Sequence, residues 1–185
     1  MSRETRILTR DDMGRITKRI AHEIIERNEV LTDLLFVGLQ RRGVPLARKL
    51  SDSIESFTGV TVPVGSLDIN FYRDDLIQRP HPFLHPTELP VTLEGKITIL
   101  VDDVFYTGRT SRSALNALID LGRPRLIQLA VMVDRGHREL PIRPDYVGKN
   151  IPTSQNQSIQ VRVDEYDGTD EVVLIDDAHL EPALI

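Results

Sequence analysis

Apolar residues recur at helical spacing in some stretches of the chain and form short continuous runs in others. Over residues 9–28, Ile16, Ile20, Ile24 and Ile25 make one stripe with Ala21 beside it, while Arg15, Lys18, Arg19, His22 and Glu26 fall opposite. That pattern predicts an amphipathic helix. Residues 44–57, with Leu46, Ala47, Leu50 and Ile54 inward, and residues 111–121, with Ala114, Leu115, Ala117, Leu118 and Leu121, predict two more. Apolar runs at 34–39, 60–68, 97–101 and 126–133 predict strands, and shorter candidates lie at 146–150, 159–164 and 171–175. Strand–helix alternation of this kind predicts an α/β fold, a central mostly parallel sheet flanked by helices. Ligands of such sheets gather beyond the carboxyl ends of the strands. No repeat, low-complexity tract or linker divides the chain, so residues 1–185 are read as one domain.

Residues 70–92 break the pattern. They hold Pro80, Pro82, Pro86 and Pro90 with His81 and His85, and no sustained apolar period. A surface excursion is the plain reading, and a loop this long is usually functional or disordered. His81 and His85 suggest a metal only weakly, since no third ligand has a recognisable spacing.

Composition narrows the class. With 185 residues, 40 % hydrophobic and 28 % charged, the chain is long enough to bury one sizeable core. It has no cysteine, which excludes disulfides and thiolate metal sites. Polar residues 1–10 argue against a secretory leader, and no apolar stretch reaches the ~20 residues that span a bilayer. A cytoplasmic location, with no membrane partner, is expected. The net charge of −5 is unevenly spread: residues 164–185 carry eight acids and no Lys or Arg, which leaves 23 basic against 20 acidic residues elsewhere. An acidic protein of this kind can still present a basic face to a polyanion.

The most informative stretch is 99–110, Ile-Leu-Val-Asp-Asp-Val-Phe-Tyr-Thr-Gly-Arg-Thr. An apolar strand ends in Asp102 and Asp103, then a turn containing Thr107, Gly108 and Thr110 leads into a helix. Backbone N–H groups at a helix N-terminus, helped by hydroxyls, hold a phosphate in the field of the helix dipole. Paired carboxylates accept hydrogen bonds from sugar hydroxyls or help hold a metal-bound ligand. An ordinary strand–helix junction with Thr110 as N-cap explains the Thr and Gly, but not two acids beside a phosphate-sized turn. A second turn, Gly38-Leu39-Gln40-Arg41-Arg42-Gly43, also joins a strand to a helix and is rich in donors suited to a diphosphate. Taken alone, its arginines read equally as solvated loop residues.

Residues 99–110 closely resemble the phosphoribosyl-diphosphate signature of type I phosphoribosyltransferases. The resemblance implies that fold, with a flexible hood loop at about 68–92. It implies Asp102 and Asp103 as catalytic acids facing the ribose. Val104, Phe105, Tyr106, Thr107, Gly108, Arg109 and Thr110 would surround the 5′-phosphate, and Gln40, Arg41, Arg42 and Gly43 would form the diphosphate loop. Residues 67–76, including Tyr72 and Arg73, resemble the family's hood, whose closure excludes water. Departures are Gln40-Arg41 where Lys-Thr or His-Thr is usual, Phe105 in place of an aliphatic residue, and the proline-rich stretch.

Residues 133–154, with 19–23, 72–76 and 120–124, resemble the narrower family of pyrimidine-operon attenuation regulators that double as uracil phosphoribosyltransferases. That resemblance spans about residues 10–175. It implies uracil and phosphoribosyl diphosphate as substrates, Mg²⁺ carried with the diphosphate rather than by a direct protein site, and UMP or UTP as effectors. It also implies pyrimidine-operon leader mRNA as partner and a homo-oligomer of even number. Arg135 and Ile159 are the base-pocket candidates, Arg135 being equally readable as a solvated strand-end residue. Lys18, Arg19 and His22 share one helix face and are the RNA-binding candidates; by spacing alone they are an ordinary solvated face. A salvage enzyme without RNA binding, and a nucleotide sensor with negligible catalysis, remain the alternatives.

Overall fold

The computed structural model describes residues 3–70 and 86–176. Its elements are β1 (Arg3–Leu8), α1 (Arg10–Arg27), β2 (Leu34–Leu39), α2 (Gly43–Thr58), β3 (Val64–Leu67), β4 (Ile97–Phe105), α3 (Arg109–Leu121), β5 (Leu126–Asp134), β6 (Tyr146–Asn150), β7 (Gln157–Arg162), α4 (Asp164–Asp167) and β8 (Glu171–Asp176). Five strands form a parallel sheet in the order β3-β2-β4-β5-β6. Both faces of this sheet are covered, which is why its central strands read as unbroken apolar runs. Leu34 and Phe36 of β2 join Ile97, Ile99 and Val101 of β4 against α1 and α2. Leu35, Val37 and Leu39 join Leu100 and the α3 residues Ala114, Ala117 and Leu118 on the other face.

Local chemistry sets the helix ends. Thr9 caps α1 through a capping box: its hydroxyl accepts from the Asp12 N–H, and the Asp12 carboxylate accepts from the Thr9 N–H. At the other end buried Asn28 donates to the Ile24 carbonyl and to Gln128 of β5 and Tyr146 of β6. This knot of polar groups fixes α1 to the sheet, and burial raises the Tyr146 phenol above its ordinary value against the lowering influence of Asn28.

Four differences from the sequence expectation stand out. β1 was not expected; with β8 and β7 it makes a separate antiparallel sheet, order β1-β8-β7. The strand expected over 60–68 covers only Val64–Leu67, and the strand expected over 159–164 is Gln157–Arg162, after which Asp164 begins the short α4. β4 does not stop before the acids but runs through them to Phe105. Within β3, Ser66 exchanges backbone hydrogen bonds with Glu88, and just after it the Asp68 N–H donates to the Thr87 hydroxyl at 3.1 Å. The two stems of the hood region are thereby joined, while Tyr72, Arg73, His81 and His85 lie outside the described residues. Among the described residues no helix is long and apolar enough to cross a membrane.

Candidate active site

The site begins with neighbouring strands. β2 and β4 are hydrogen-bonded partners, with Gly38 opposite Val101. The Gln40–Gly43 turn and the Asp102–Asp103 pair therefore emerge side by side at the carboxyl edge of the sheet. Two glycines make the first turn possible. A Cβ on Gly38 would lie 2.4 Å from the Val44 Cα, and one on Gly43 would lie 2.3 Å from the Val101 carbonyl oxygen. The Gln40–Arg41 peptide is cis, and the Gln40 N–H donates to the Leu67 carbonyl at 3.0 Å.

On β4, Asp102 is buried and accepts from the Asp103 N–H at 2.9 Å; Asp103 is half-buried and accepts from the Val104 N–H at 2.8 Å. The helix that follows is capped by Gly108 at φ 91°, a left-handed conformation that glycine adopts freely, and not by Thr110. Thr107 organises the turn. Its carbonyl accepts from the Glu139 N–H at 2.9 Å, and its hydroxyl accepts from the Arg109 N–H at 3.3 Å. Asp102 and every residue from Val104 to Thr110 line a cleft of about 280 Å³, with Ser111 and Ser113. Asp103 is not among its lining residues. The first-turn N–H groups of α3 have no intrahelical acceptor and the helix dipole adds positive potential there, so the cleft suits a phosphate. Phe105, which departs from the resemblance, is a buried floor residue 3.5 Å from where a Gly108 Cβ would sit. Arg109 is tied to Glu139 at 2.7 Å.

Arg135 is not a solvated strand-end residue. It is buried, stacks 4.0 Å above the Tyr106 ring, and donates to the Thr153 hydroxyl at 3.1 Å and the Gln157 carbonyl at 2.6 Å. Burial pushes its guanidinium below the usual range. His137 Nε2 lies 2.6 Å from the Thr153 carbonyl. Together these groups fasten the 151–157 segment to the phosphate turn, contacts that local spacing does not reveal. Ile159 packs in the main core at 9 % exposure, so its side chain serves the fold.

The arginines of the other turn have partners that the sequence reading missed. Arg42 donates to both carboxylate oxygens of Asp167, at 2.8 and 3.0 Å, and Arg41 lies 5.9 Å from the Tyr166 ring centre. The Asp167 hydrogen bond raises the Arg42 guanidinium and lowers the Asp167 carboxyl below its usual value. Further ion pairs join Arg10 to Asp164 at 3.0 Å, Arg48 to Glu165 at 3.1 Å and Lys49 to Asp170 at 2.6 Å. The acidic excess near the end of the described chain thus folds back onto the cations of α1 and α2. The only hint in the sequence was that run of acids without a base.

The RNA-binding candidates have three different environments. Lys18 is exposed, beside Arg10 and Lys49 at the rim of a cleft between α1 and α2. Arg19 donates to the carbonyls of Val147 and Gly148 at 3.1 and 2.5 Å and pairs with Glu23. His22 stacks on Phe57 of α2 with ring centres 4.1 Å apart.

This arrangement, a parallel sheet with an acid pair, a phosphate turn and a donor-rich turn on adjacent strands, is that of a phosphoribosyltransferase. The phosphoribosyl transferase domain model matches residues 5–166, and the chain belongs to that family. Among curated proteins it is 57 % identical over 180 residues to the bifunctional protein PyrR of Pelotomaculum thermopropionicum, covering 96 % of this chain and 99 % of the relative. It is 56 % identical over 171 residues to the bifunctional protein PyrR of Halalkalibacterium halodurans, covering 91 % and 95 %. Among solved structures, the hypoxanthine phosphoribosyltransferase of Trypanosoma cruzi superposes with a TM-score of 0.70 at 18 % identity, covering 94 % of this chain and 97 % of that one. The Staphylococcus aureus hypoxanthine phosphoribosyltransferase gives 0.69 at 18 % identity, covering 91 % and 90 %. At that identity the solved structures establish the shared fold and not the base.

Proposed function

We propose that the chain is a bifunctional regulator and enzyme: it joins uracil to phosphoribosyl diphosphate, giving UMP and diphosphate, and binds pyrimidine-operon leader mRNA in response to UMP or UTP. The observation that carries the enzymatic part is the pairing of Gly38 with Val101, which sets the donor-rich turn beside the acid pair. Near-complete overlap with the bifunctional PyrR proteins carries the regulatory part.

In the reaction the bond from ribose C1′ to diphosphate breaks and the diphosphate keeps the electron pair. Uracil N1 bonds to C1′, and its proton passes to the departing diphosphate. Positive charge grows on the ribose ring between these events, and the Asp102 and Asp103 carboxylates stabilise it while holding the ribose hydroxyls. The first turn of α3 grips the 5′-phosphate and fixes the sugar; Gln40–Gly43 receive the leaving group. The hard carboxylate oxygens of Asp102 and Asp103 would face a Mg²⁺ ion carried in on the substrate, and that ion would supply positive charge to the diphosphate. Arg135, held by Tyr106 and Thr153, shapes the wall beside the base. This chemistry belongs in the cytoplasm, where nucleotides and nascent transcripts meet.

A second reading, a salvage enzyme without RNA binding, draws on the engagement of Arg19 and His22 with β6 and α2. Binding of the purified chain to its own leader RNA, with and without UMP at fixed salt, separates the two. Affinity that tightens with UMP supports the regulator. Affinity equal to that for an unrelated RNA in both conditions leaves the enzyme alone, and absence of UMP synthesis from uracil removes the catalytic half.

A further inference from the structure

Arg42 projects from the diphosphate loop, yet its partner lies 125 residues away on α4. The pair is two-pronged: Arg42 Nε donates to Asp167 Oδ2 at 3.0 Å and Nη2 to Oδ1 at 2.8 Å. Such parallel bonds fix the plane of a guanidinium as well as its position. Asp167 is itself fixed, because Oδ2 also accepts from the Val163 N–H at 2.9 Å. The turn that carries it is closed by backbone bonds from Tyr166 and Asp167 to the Val163 carbonyl and ends at Gly168, φ 71°. Lys49 anchors this turn to α2 through Asp170, whose carboxylate also accepts from the Asp164 N–H at 3.0 Å, while the neighbouring Arg48–Glu165 pair is exposed on both sides and adds little. Both side chains of the pair are shielded, 24 % and 16 % exposed. With Nε and Nη2 committed to Asp167, the Nη1 edge remains to donate to an anion.

We infer that Asp167 is a positioning residue for substrate binding: α4 holds Arg42 so that its Nη1 edge faces the diphosphate of phosphoribosyl diphosphate before the substrate arrives. Pre-ordering spares the substrate the cost of immobilising a long side chain. The inference rests on the phosphoribosyl-transfer reading and extends it to a residue outside both turns. A carboxylate this near an anion site also repels the anion, so the sign of its effect is a real test.

Calorimetric titration of phosphoribosyl diphosphate with Mg²⁺ into the full chain, compared with Asp167→Asn, Arg42→Gln, the double variant and Glu165→Gln, decides the matter. Asp167→Asn is expected to weaken binding about tenfold and to have no further effect in the Arg42→Gln background. Asp167→Glu should restore part of the loss. Glu165→Gln, which breaks a neighbouring ion pair without touching Arg42, should bind like the parent. Unchanged or tighter binding by Asp167→Asn, losses that multiply in the double variant, or an equal loss from Glu165→Gln would each overturn the inference. Uracil turnover is measured separately: substrate binding without UMP formation would refute the proposed reaction and leave this positioning role standing.

Discussion

Gly43→Ala should destabilise the fold by about 2 kcal/mol, although alanine is the better helix former by up to ~1 kcal/mol. The added Cβ would sit 2.3 Å from the Val101 carbonyl oxygen, about 1 Å short of ordinary contact. That oxygen cannot retreat, because Val101 lies in the middle of the sheet, paired with Gly38 on one side and Ala130 on the other. The first turn of α2 must move instead, which loosens Leu46, Ala47 and Leu50 in the core and shifts the loop before it. Overpacking of this kind costs roughly 1–3 kcal/mol, more than propensity returns at a helix start. Gly14→Ala is the matched control. Gly14 is exposed within α1, and its added Cβ would meet nothing within 4 Å, so stability should rise by about 0.5–1 kcal/mol. Urea unfolding at constant m reads both values, and affinity for phosphoribosyl diphosphate should fall only in the Gly43 variant. A Gly43→Ala protein as stable as its parent would refute the claim that this junction is closed against any side chain.

Asn28→Ala should cost about 2–3 kcal/mol, since it strips buried Gln128 and Tyr146 of a partner as well as loosening the end of α1; a loss below ~1 kcal/mol in urea unfolding would mean that water substitutes for it. Asp167 has a folded-state pKa below its ordinary 3.8, chiefly through the Arg42 hydrogen bond. Its stabilisation is thus present above that ordinary value and lost as pH falls through the depressed one. The stability gap between parent and Asp167→Asn should therefore be widest near neutrality and close in acid; a gap independent of pH would contradict this. Arg19→Ala should lower the melting temperature through loss of the β6 contacts, whereas Lys18→Ala should leave it unchanged and weaken leader-RNA binding. Asp103→Asn should abolish UMP formation while RNA affinity persists, and joint loss would show that the two surfaces are not separate.

Both covered faces of the parallel sheet were legible because burial writes itself into sequence: Leu34 to Leu39 form one apolar run matching β2. The turn at residues 107–110 was legible as a turn because glycine and threonine are local requirements there: Gly108 sits at φ 91° and the Thr107 hydroxyl accepts from the Arg109 N–H. The extent of β4 was not, since Asp102 and Asp103 lie within a strand that pattern alone would end before them. Nor was the tie between Arg42 and Asp167, or between Arg135 and Thr153, because partners far apart in the chain leave no periodic trace. β1 escaped for a related reason: of Arg3-Glu4-Thr5-Arg6-Ile7-Leu8, only Leu8 is buried.

That charged strand has a consequence for synthesis. Among the described residues its partner is β8, with Arg3 opposite Asp176, so this strand finds its place only after nearly all the rest of the described chain has been made. Throughout that interval its N–H and C=O groups are open to any extended segment nearby. Arg3, Glu4 and Arg6 make such encounters unfavourable, as charged residues do on strands left without a neighbour. Once β8 is made, Arg162 on β7 reaches across it and pairs with Glu4 at 2.9 Å. A charge that guards the waiting strand is thereby used to fasten it.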